Sequence, residues 1–194
     1  MNERNRFLII DCETGGIDAD KHSILTIAGI GWEPGKEINT NSIFNISIKE
    51  HNLNIDPEAI KVNNINLNDI VMYGLPPGEA VNEIVRAITF WNATEPVILA
   101  GHNVSFDIAF LKRLFRLANR NDFKAYFSHR SLDTASIFKF LQISKMVDDF
   151  GNSSNAFFKF CNVEIKDKDR HTAKGDALAT AQSLEYLYYY LLKK

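Results

Sequence analysis

In the first part of the chain, apolar residues form short runs or alternate with polar residues, as in strands. In the later part, apolar residues recur at the spacing of a helix. Residues 7–10 are continuously apolar, the pattern of a strand buried on both faces, and this run stops at Asp11. Residues 24–30 predict a second strand, and residues 43–49, where apolar and polar positions alternate, predict a third. Residues 33–36, Glu-Pro-Gly-Lys, predict a hairpin-type connection between them. We therefore expect the first three strands to be antiparallel or mixed.

Helical periodicity dominates the rest of the chain. Asp56, Pro57 and Glu58 stand in the order of cap, first-turn proline and first-turn acid that begins a helix. The later predicted elements are a helix over 81–91, a buried strand over 97–100, a helix over 106–115, a short strand at 131–134 leading into a helix through 141, a short helix at 156–160 and a last helix over 172–192. With no internal repeat or linker, residues 1–194 are expected to form one α/β domain.

Composition narrows the possible classes of protein. The 194 residues are 45% hydrophobic and 24% charged, which is typical of a globular protein and excludes a disordered one. The net charge of −2 excludes a uniformly basic coat for nucleic acid, so phosphate binding has to come from local patches or bound cations.

The two cysteines, Cys12 and Cys161, lie far apart and outside any CxxC pattern, which argues against a disulfide scaffold or a zinc finger. The apolar run at residues 7–10 is too short for a signal peptide, and no run long enough for a membrane span follows it. We therefore expect a cytoplasmic protein that neither enters nor crosses a membrane.

Two acidic residues stand at the end of the first predicted strand. In extended backbone the spacing of Asp11 and Glu13 directs both carboxylates to the same side. Solvated acids at a strand end are the plain alternative, because an Asp-x-Glu triplet is common by chance. Their position favours a ligand, since ligands in α/β sheets bind at strand termini.

Two further acids lie at predicted helix starts. Asp107 shares the inward stripe of its helix with Phe110 and Leu111, where it acts either as a helix-start acid or as a partner of a metal. Asp176 repeats this arrangement in the last helix. His171 precedes that helix, either as a capping or surface residue or as part of the same site, and the small polar residues 172–175 leave room for a phosphate.

Three ordered segments together resemble a known family. Residues 11–16 (DCETGG), 101–107 (GHNVSFD) and 171–176 (HTAKGD) are similar to the three exonuclease motifs of the DEDDh 3′–5′ exonucleases. The resemblance covers nearly the whole chain. It implies a ribonuclease H-like fold, with a five-stranded mixed sheet whose first three strands form an antiparallel meander, flanked by helices.

The resemblance also implies a mechanism. Asp11, Glu13, Asp107 and Asp176 would bind two divalent cations, Mg²⁺ or Mn²⁺. Asp11 would bridge both ions, Glu13 and Asp176 would hold the ion that carries the attacking water, and Asp107 would serve the ion at the leaving 3′-oxygen. His171 would accept the proton of the water, because imidazole exchanges protons near neutral pH.

Further residues are expected to contact the substrate. The backbone at Thr14 and Gly15 would meet the terminal sugar, Phe106 would pack near the site, and Asn103 would orient either the substrate or its own loop. The basic residues around the third motif either track the nucleic-acid backbone or form a solvated loop; they are Lys166, Lys168, Arg170 and Lys174. Two positions depart from the family pattern: Gly15 replaces a frequent threonine, which would widen the approach, and Asn63-Asn64 replaces a frequent His-Gly pair.

Several conspicuous residues are expected to be structural. These are His102 as a hydrogen-bond partner, Asp133 as a helix cap, Cys12 as a core residue, the aromatic run 186–190 as packing, and the basic group Lys112, Arg113, Arg116 and Arg120 as a solvated helix face.

The leading hypothesis is a metal-dependent exonuclease that acts on the 3′ ends of single-stranded DNA or RNA. Two alternatives stay open: a proofreading subunit working beside a polymerase, and a module that binds 3′ ends without cleaving them. Retention of all four acids and the histidine disfavours the binding module. A second copy of the chain is a possible partner, as in some relatives. No motif for the 2′-hydroxyl distinguishes DNA from RNA.

Overall fold

A mixed sheet with helices on both faces organises the chain in this computed structural model, which describes residues 6–63, 65–92 and 95–193. The strands are β1 (Phe7–Thr14), β2 (Ile24–Trp32), β3 (Phe44–Ser47), β4 (Val97–Gly101) and β5 (Phe127–Asp133). The helices are α1 (Pro57–Val62), α2 (Leu67–Tyr73), α3 (Pro77–Trp91), α4 (Val104–Leu117), α5 (Phe123–Tyr126), α6 (Thr134–Ile143), α7 (Ser154–Phe160) and α8 (Ala173–Leu192).

The described strands form one five-stranded sheet in the order β3-β2-β1-β4-β5. β1 and β3 both pair antiparallel with β2, whereas β4 pairs parallel with β1 and with β5. This confirms the predicted mixed sheet with an antiparallel meander at one side. Because β1, β4 and β5 run in the same direction, their carboxyl ends meet at one edge, which is where ligands bind in such sheets.

Alternation along β1 decides which side chains face which layer. Residues 8, 10 and 12 join the core formed with α3 and α4, where the buried Phe110 and Leu114 lie. Ile9 faces the opposite layer and packs with Ala177 and Ala181 of α8. Asp11 and Glu13 continue the row of Ile9 and therefore point toward α8.

A third apolar cluster fixes α7 beside α8. Phe138 of α6, Phe157 of α7 and Leu187 of α8 are buried together in it. Tyr186 and Tyr190 pack against this cluster, and the Tyr190 hydroxyl donates to the Met146 carbonyl at 3.1 Å. The aromatic run thus mainly packs, as predicted.

β1 is longer than the sequence suggested. Its ladder with β2 continues past Asp11 to the pair Thr14 and Ile24, with a register shift between Glu13 and Thr14. The apolar run stops at Asp11 because the strand leaves the core at this residue, and from here its side chains line a cleft. Both acids are thus held by sheet hydrogen bonds.

Other boundaries also differ from the predictions. β3 is shorter than expected and ends at Ser47; directly after it, Ile48 forms an isolated bridge with Leu75. The connection from β2 to β3 spans residues 33–43, which is longer than a hairpin turn. α2 was not predicted because it buries only Ile70 and so lacks an apolar stripe.

The longest described helix, α8, has 20 residues, and charged residues interrupt it. Within residues 6–63, 65–92 and 95–193, no helix combines the length and apolar character needed to cross a membrane. Cytoplasmic location stays a prediction.

Candidate active site

Three of the four predicted acids converge at the end of β1. Asp11 and Glu13 leave the same face of this strand, and Asp176 lies in the first turn of α8, which packs against that face. One carboxylate oxygen from each residue lies within 4.8 Å of the other two. A single divalent cation can contact oxygens arranged in this way.

Asp107 reaches the same end of β1 from the other face of the sheet. It is buried in the first turn of α4, and its carboxylate accepts a hydrogen bond from the Cys12 backbone N–H at 2.9 Å. The close group of three carboxylates does not include it. All four acids nevertheless line one cleft of about 370 Å³. Asp107 therefore stands apart from the other acids within a shared cleft.

The remaining walls of this cleft come from five parts of the chain. The residues that line them are Cys12, Thr14, Gly16, Ile17, Ala59, Val62, Asn63, His102, Asn103, Phe106, Ser154, Arg170 and His171. Ile17 and Val62 are exposed apolar side chains, so an apolar rim lies beside the acidic end. Apolar and aromatic rims of this kind suit a sugar and base, whereas the acidic end suits a cation.

Burial and mutual repulsion oppose ionisation of these acids. Burial, followed by the charges of Asp107, Asp176 and Glu13, raises the pKa of Asp11 well above its ordinary value. Burial also raises the pKa of Glu13 to about 7 and that of Asp107 to about 8. A bound cation would favour the charged forms and remove this penalty.

The donor set fits a hard divalent cation. The three converging groups are carboxylates, and the Cys12 thiol, which contacts Asp107 on the other face of β1, does not belong to this group. Among the described residues, the buried Oδ1 atom of Asp176 has no hydrogen-bond partner. An unsatisfied buried carboxylate oxygen beside two other carboxylates is an atom that a cation would satisfy.

Arg170 contacts the other oxygen of Asp176. Its guanidinium donates to Oδ2 of Asp176, to the side-chain oxygen of Asn155 at 3.0 Å and to the Ser154 hydroxyl at 3.0 Å. The guanidinium also lies 5.6 Å from the centre of the Phe158 ring. The charge of Arg170 partly opposes the rise in the pKa of Asp176 that burial causes.

His171 lies at the mouth of the cleft, directly before α8. Its backbone is left-handed, with φ of 58°, and the next residue, Thr172, caps α8 by accepting a hydrogen bond from the Gly175 N–H at 3.1 Å. The half-buried histidine lines the acidic cleft and also two neighbouring grooves. The structure thus brings His171 to the same cleft as the four acids.

Of the predicted substrate residues, Thr14, Asn103 and Phe106 line the cleft. The Thr14 hydroxyl donates to the Gly16 carbonyl at 2.7 Å, which fixes the turn after β1. Asn103 has a left-handed backbone, with φ of 61°, and its N–H donates to Asp133 at 2.7 Å. Asp133 therefore fixes the turn that presents Asn103.

Gly15 is not among the residues that line the cleft, and the expectation that it widens the approach is wrong. A Cβ atom at this position would lie 2.5 Å from the backbone oxygen of Asn54, so the neighbouring backbone already fills that space. Its N–H donates to the Ser23 carbonyl at 2.7 Å, and its carbonyl accepts from Asp56 at 2.6 Å. Asn63 supports the same turn by donating to the Thr14 carbonyl at 2.9 Å, whereas Asn64 lies outside the described residues.

Lys174 lies in a second groove rather than in the acidic cleft. This groove has a volume of about 680 Å³ and shares Glu13 and His171 with the cleft. Lys174 and Lys166 line it together with several uncharged polar side chains, which include Asn45, Asn66 and Gln182. Asp69, Glu164 and Asp169 also line this groove, so its wall is polar and carries charges of both signs.

The other basic group is engaged within the protein. Arg113 forms a buried ion pair with Glu50, Arg116 pairs with Asp20, and Arg120 pairs with Asp122. Lys112 lies over the Phe123 ring. The prediction of a solvated helix face was wrong for Arg113. Its partner, Glu50, lies far away in the sequence, so residue spacing could not reveal this ion pair.

Three predicted structural residues occupy the expected roles. The ring nitrogens of His102 contact the Thr134 hydroxyl at 3.0 Å and the Asn152 carbonyl at 3.1 Å. Asp133 caps α6, and Cys12 is buried in the core. Sequence reasoning missed the contacts of Arg170, because its partners on α7 and α8 come together only in the folded chain.

Known proteins share this architecture and sequence pattern. A family model described as exonuclease, RNase T, matches residues 8–184. Ribonuclease T of Histophilus somni (strain 129Pt) is 25% identical over 210 residues, which cover 98% of this chain and 88% of the relative. The 3′–5′ DNA exonuclease Cap18 of Escherichia coli is 28% identical over 117 residues, which cover 59% of each protein.

Solved structures show the same fold. E. coli exonuclease I in complex with a dT13 oligonucleotide matches 97% of this chain with a TM-score of 0.78 at 16% identity. The match covers 44% of exonuclease I, so the chain corresponds to less than half of that protein's length. The fold is thus ribonuclease H-like, as expected. Because the family match runs from the start of β1 into α8 and includes all four acids of the cleft, this chain belongs to the RNase T exonuclease family of nucleases.

Proposed function

We propose that this protein is a divalent-metal-dependent 3′–5′ exonuclease that removes nucleotides from single-stranded nucleic acid. The observation that carries the proposal is the convergence of Asp11, Glu13 and Asp176 within 4.8 Å, with Asp107 and His171 lining the same cleft. Carboxylates gathered in one cleft support this proposal, because they can hold the pair of divalent cations that many phosphodiester-hydrolysing enzymes use.

The four carboxylates would hold Mg²⁺ or Mn²⁺. Such cations, when bound, stabilise the charge of the phosphodiester and of both the attacking and the leaving oxygen. Asp11, whose carboxyl group interacts electrostatically with those of Asp107, Asp176 and Glu13, would be the ligand that serves both cations. Glu13 and Asp176 would serve the side of the attacking water, and Asp107 the side of the leaving 3′-oxygen.

His171 would accept the proton of the attacking water. Its place directly before α8, beside Asp176, puts an imidazole at the mouth of the acidic cleft. Thr14, Asn103 and Phe106 would orient the terminal nucleotide against the acids, and Lys174 would contact the backbone of the remaining strand in the adjoining groove.

Two of the matched proteins support the 3′–5′ direction of cleavage and a single-stranded substrate. Cap18 is described as a 3′–5′ DNA exonuclease, and exonuclease I is seen with a single-stranded oligonucleotide. The matched relatives also include a ribonuclease, ribonuclease T, so DNA and RNA strands are both candidate substrates. Association with a polymerase or with a second copy stays a prediction.

Digestion of 5′-labelled single strands, one DNA and one RNA, with Mg²⁺ tests this proposal. We expect a ladder that shortens from the 3′ end on at least one strand. Asp11→Asn should slow cleavage on the order of 10³-fold, and His171→Ala about 10²-fold or more. Asp20→Asn is a matched control, because its carboxylate is exposed and pairs with Arg116 outside the cleft.

The outcomes separate the alternatives. Immediate release of the label as a mononucleotide would contradict the direction, and intact strands that bind tightly would favour the non-cleaving module. Undiminished cleavage by Asp11→Asn would contradict the assignment of the site.

A further inference from the structure

Arg170 is a cation built into the acidic cleft. Its side chain is 18% exposed, and the Asp176 carboxylate that it contacts is 11% exposed. The contact therefore has little of the solvent screening that weakens surface ion pairs. Arg170 and Asp176 both line the cleft that holds Asp11 and Glu13.

The guanidinium is fixed from the side of α7. Asn155 and Ser154, both in the first turn of this helix, accept its hydrogen bonds, and the Phe158 ring one turn later lies beneath it. Phe158 is itself buried in the cluster that packs α7 against α8. The residues that fix Arg170 thus lie outside the group of acids. The positive charge of the guanidinium is therefore pre-organised beside Asp176.

We propose that Arg170 is a positioning residue that lowers the affinity of the acidic cleft for a divalent cation, because from its anchor on α7 it engages one carboxylate oxygen of Asp176 and keeps a positive charge beside the acids. This inference rests on the proposed function, in which Asp176 is a metal ligand. The guanidinium and a cation share this carboxylate and carry charges of the same sign. Binding of the cation is therefore weaker than the four carboxylates alone would give.

Mn²⁺ alone is the probe, with its dissociation constant measured by calorimetry and by electron paramagnetic resonance on the full chain. Arg170→Met keeps most of the length of the side chain and removes the charge, so we expect about tenfold tighter Mn²⁺ binding. Arg170→Lys keeps the charge and should return the dissociation constant toward that of the wild type. Arg86→Met is the matched control, since this exposed arginine pairs with Glu83 on α3 and should leave Mn²⁺ binding unchanged.

A second variant keeps the test independent of Arg170 itself. Asn155→Ala removes one anchor of the guanidinium without changing any charge, and it should tighten Mn²⁺ binding about two- to threefold. Thermal melts in EDTA establish that each variant is folded before binding is measured. If Arg170→Met does not fold, Asn155→Ala carries the test.

The failure of this inference differs from the failure of the proposed function. Wild-type protein that binds Mn²⁺, with equal or weaker binding by Arg170→Met or Asn155→Ala, would overturn the role of Arg170 alone. That result would mean that Arg170 supports the structure of the cleft or orients Asp176 for the cation. Wild-type protein that binds no Mn²⁺ would overturn both.

Discussion

Glu13 and Asp107 are carboxylic acids held in surroundings that disfavour their charge. Burial raises the pKa of Glu13 to about 7 and that of Asp107 to about 8, whereas unfolded carboxyls titrate near about 4. Between these values the folded chain binds more protons than the unfolded chain. The free energy of unfolding therefore falls as the pH rises through this range.

This pH dependence can be measured by thermal melts. In EDTA, we expect Tm to fall by about 5 °C or more between about pH 5 and about pH 8, and Mg²⁺ to restore it at the higher pH. Glu13→Gln cannot ionise at this position, so its decline should be shallower. A Tm in EDTA that rises over this range, or that Mg²⁺ leaves unchanged, would contradict the burial of repelling carboxylates.

The acids and the histidine could be found from the sequence because their spacing follows the periods of a strand and of two helices. Asp11 and Glu13 share a face by alternation, and the family motifs identify Asp107, His171 and Asp176. The role of Gly15 could not be found in this way. Its surroundings depend on the backbone of Asn54, which lies far away in sequence and fills the space beside it.

At the scale of elements, the loop before α8 is as important as the helix itself. Thr172 caps α8, and its hydroxyl donates to the Asp169 carbonyl at 2.6 Å, so residues 169–172 fold tightly over the first turn. A Cβ atom at Gly175 would lie 1.9 Å from that carbonyl. Glycine at this position therefore permits the loop to bring Arg170 and His171 beside Asp176.

Gly175→Ala tests this arrangement. We expect the free energy of unfolding to fall by about 2 kcal/mol, despite the better helix propensity of alanine, because the loop has to move. Cleavage should slow about tenfold or more, since displacement by about 1 Å is costly in an active site. Urea denaturation and the digestion assay measure both effects.

Gly78→Ala is the matched control for this substitution. Gly78 lies in the first turn of α3, and no atom stands within 4 Å of the place of its Cβ. Alanine should therefore be neutral or stabilising by up to about 1 kcal/mol. Equal stability and cleavage in wild type and Gly175→Ala would contradict a tightly packed loop.

The order of elements was predicted more fully than their ends. The buried strands and the long helices have strong apolar patterns, so β1, β2, β4, α3, α4 and α8 all lie near their predicted positions. The pattern fails where side chains leave the core. β1 continues through Thr14 as a wall of the cleft, and α2 buries only Ile70, so neither feature has an apolar signal.

At the scale of the whole molecule, the site depends on two layers that meet at one sheet edge. α8 brings Asp176 to one face of β1, and α4 brings Asp107 to the other. The parallel strands β1, β4 and β5 end at the same edge, so the turns that follow them surround the acids. Periodicity predicted an α/β domain whose first three strands are antiparallel or mixed, and the motif resemblance implied the five-stranded mixed sheet. The closeness of the two layers at this edge follows from packing.

The most direct test of the central claim is an anomalous diffraction map of crystals soaked with Mn²⁺. We expect two peaks in the acidic cleft, both in contact with Asp11, one shared with Glu13 and Asp176 and the other with Asp107. Crystals of Asp11→Asn should lose both peaks or show them much weakened. Strong peaks elsewhere on the protein with none in the cleft would contradict the claim that these carboxylates form a metal-dependent nuclease site.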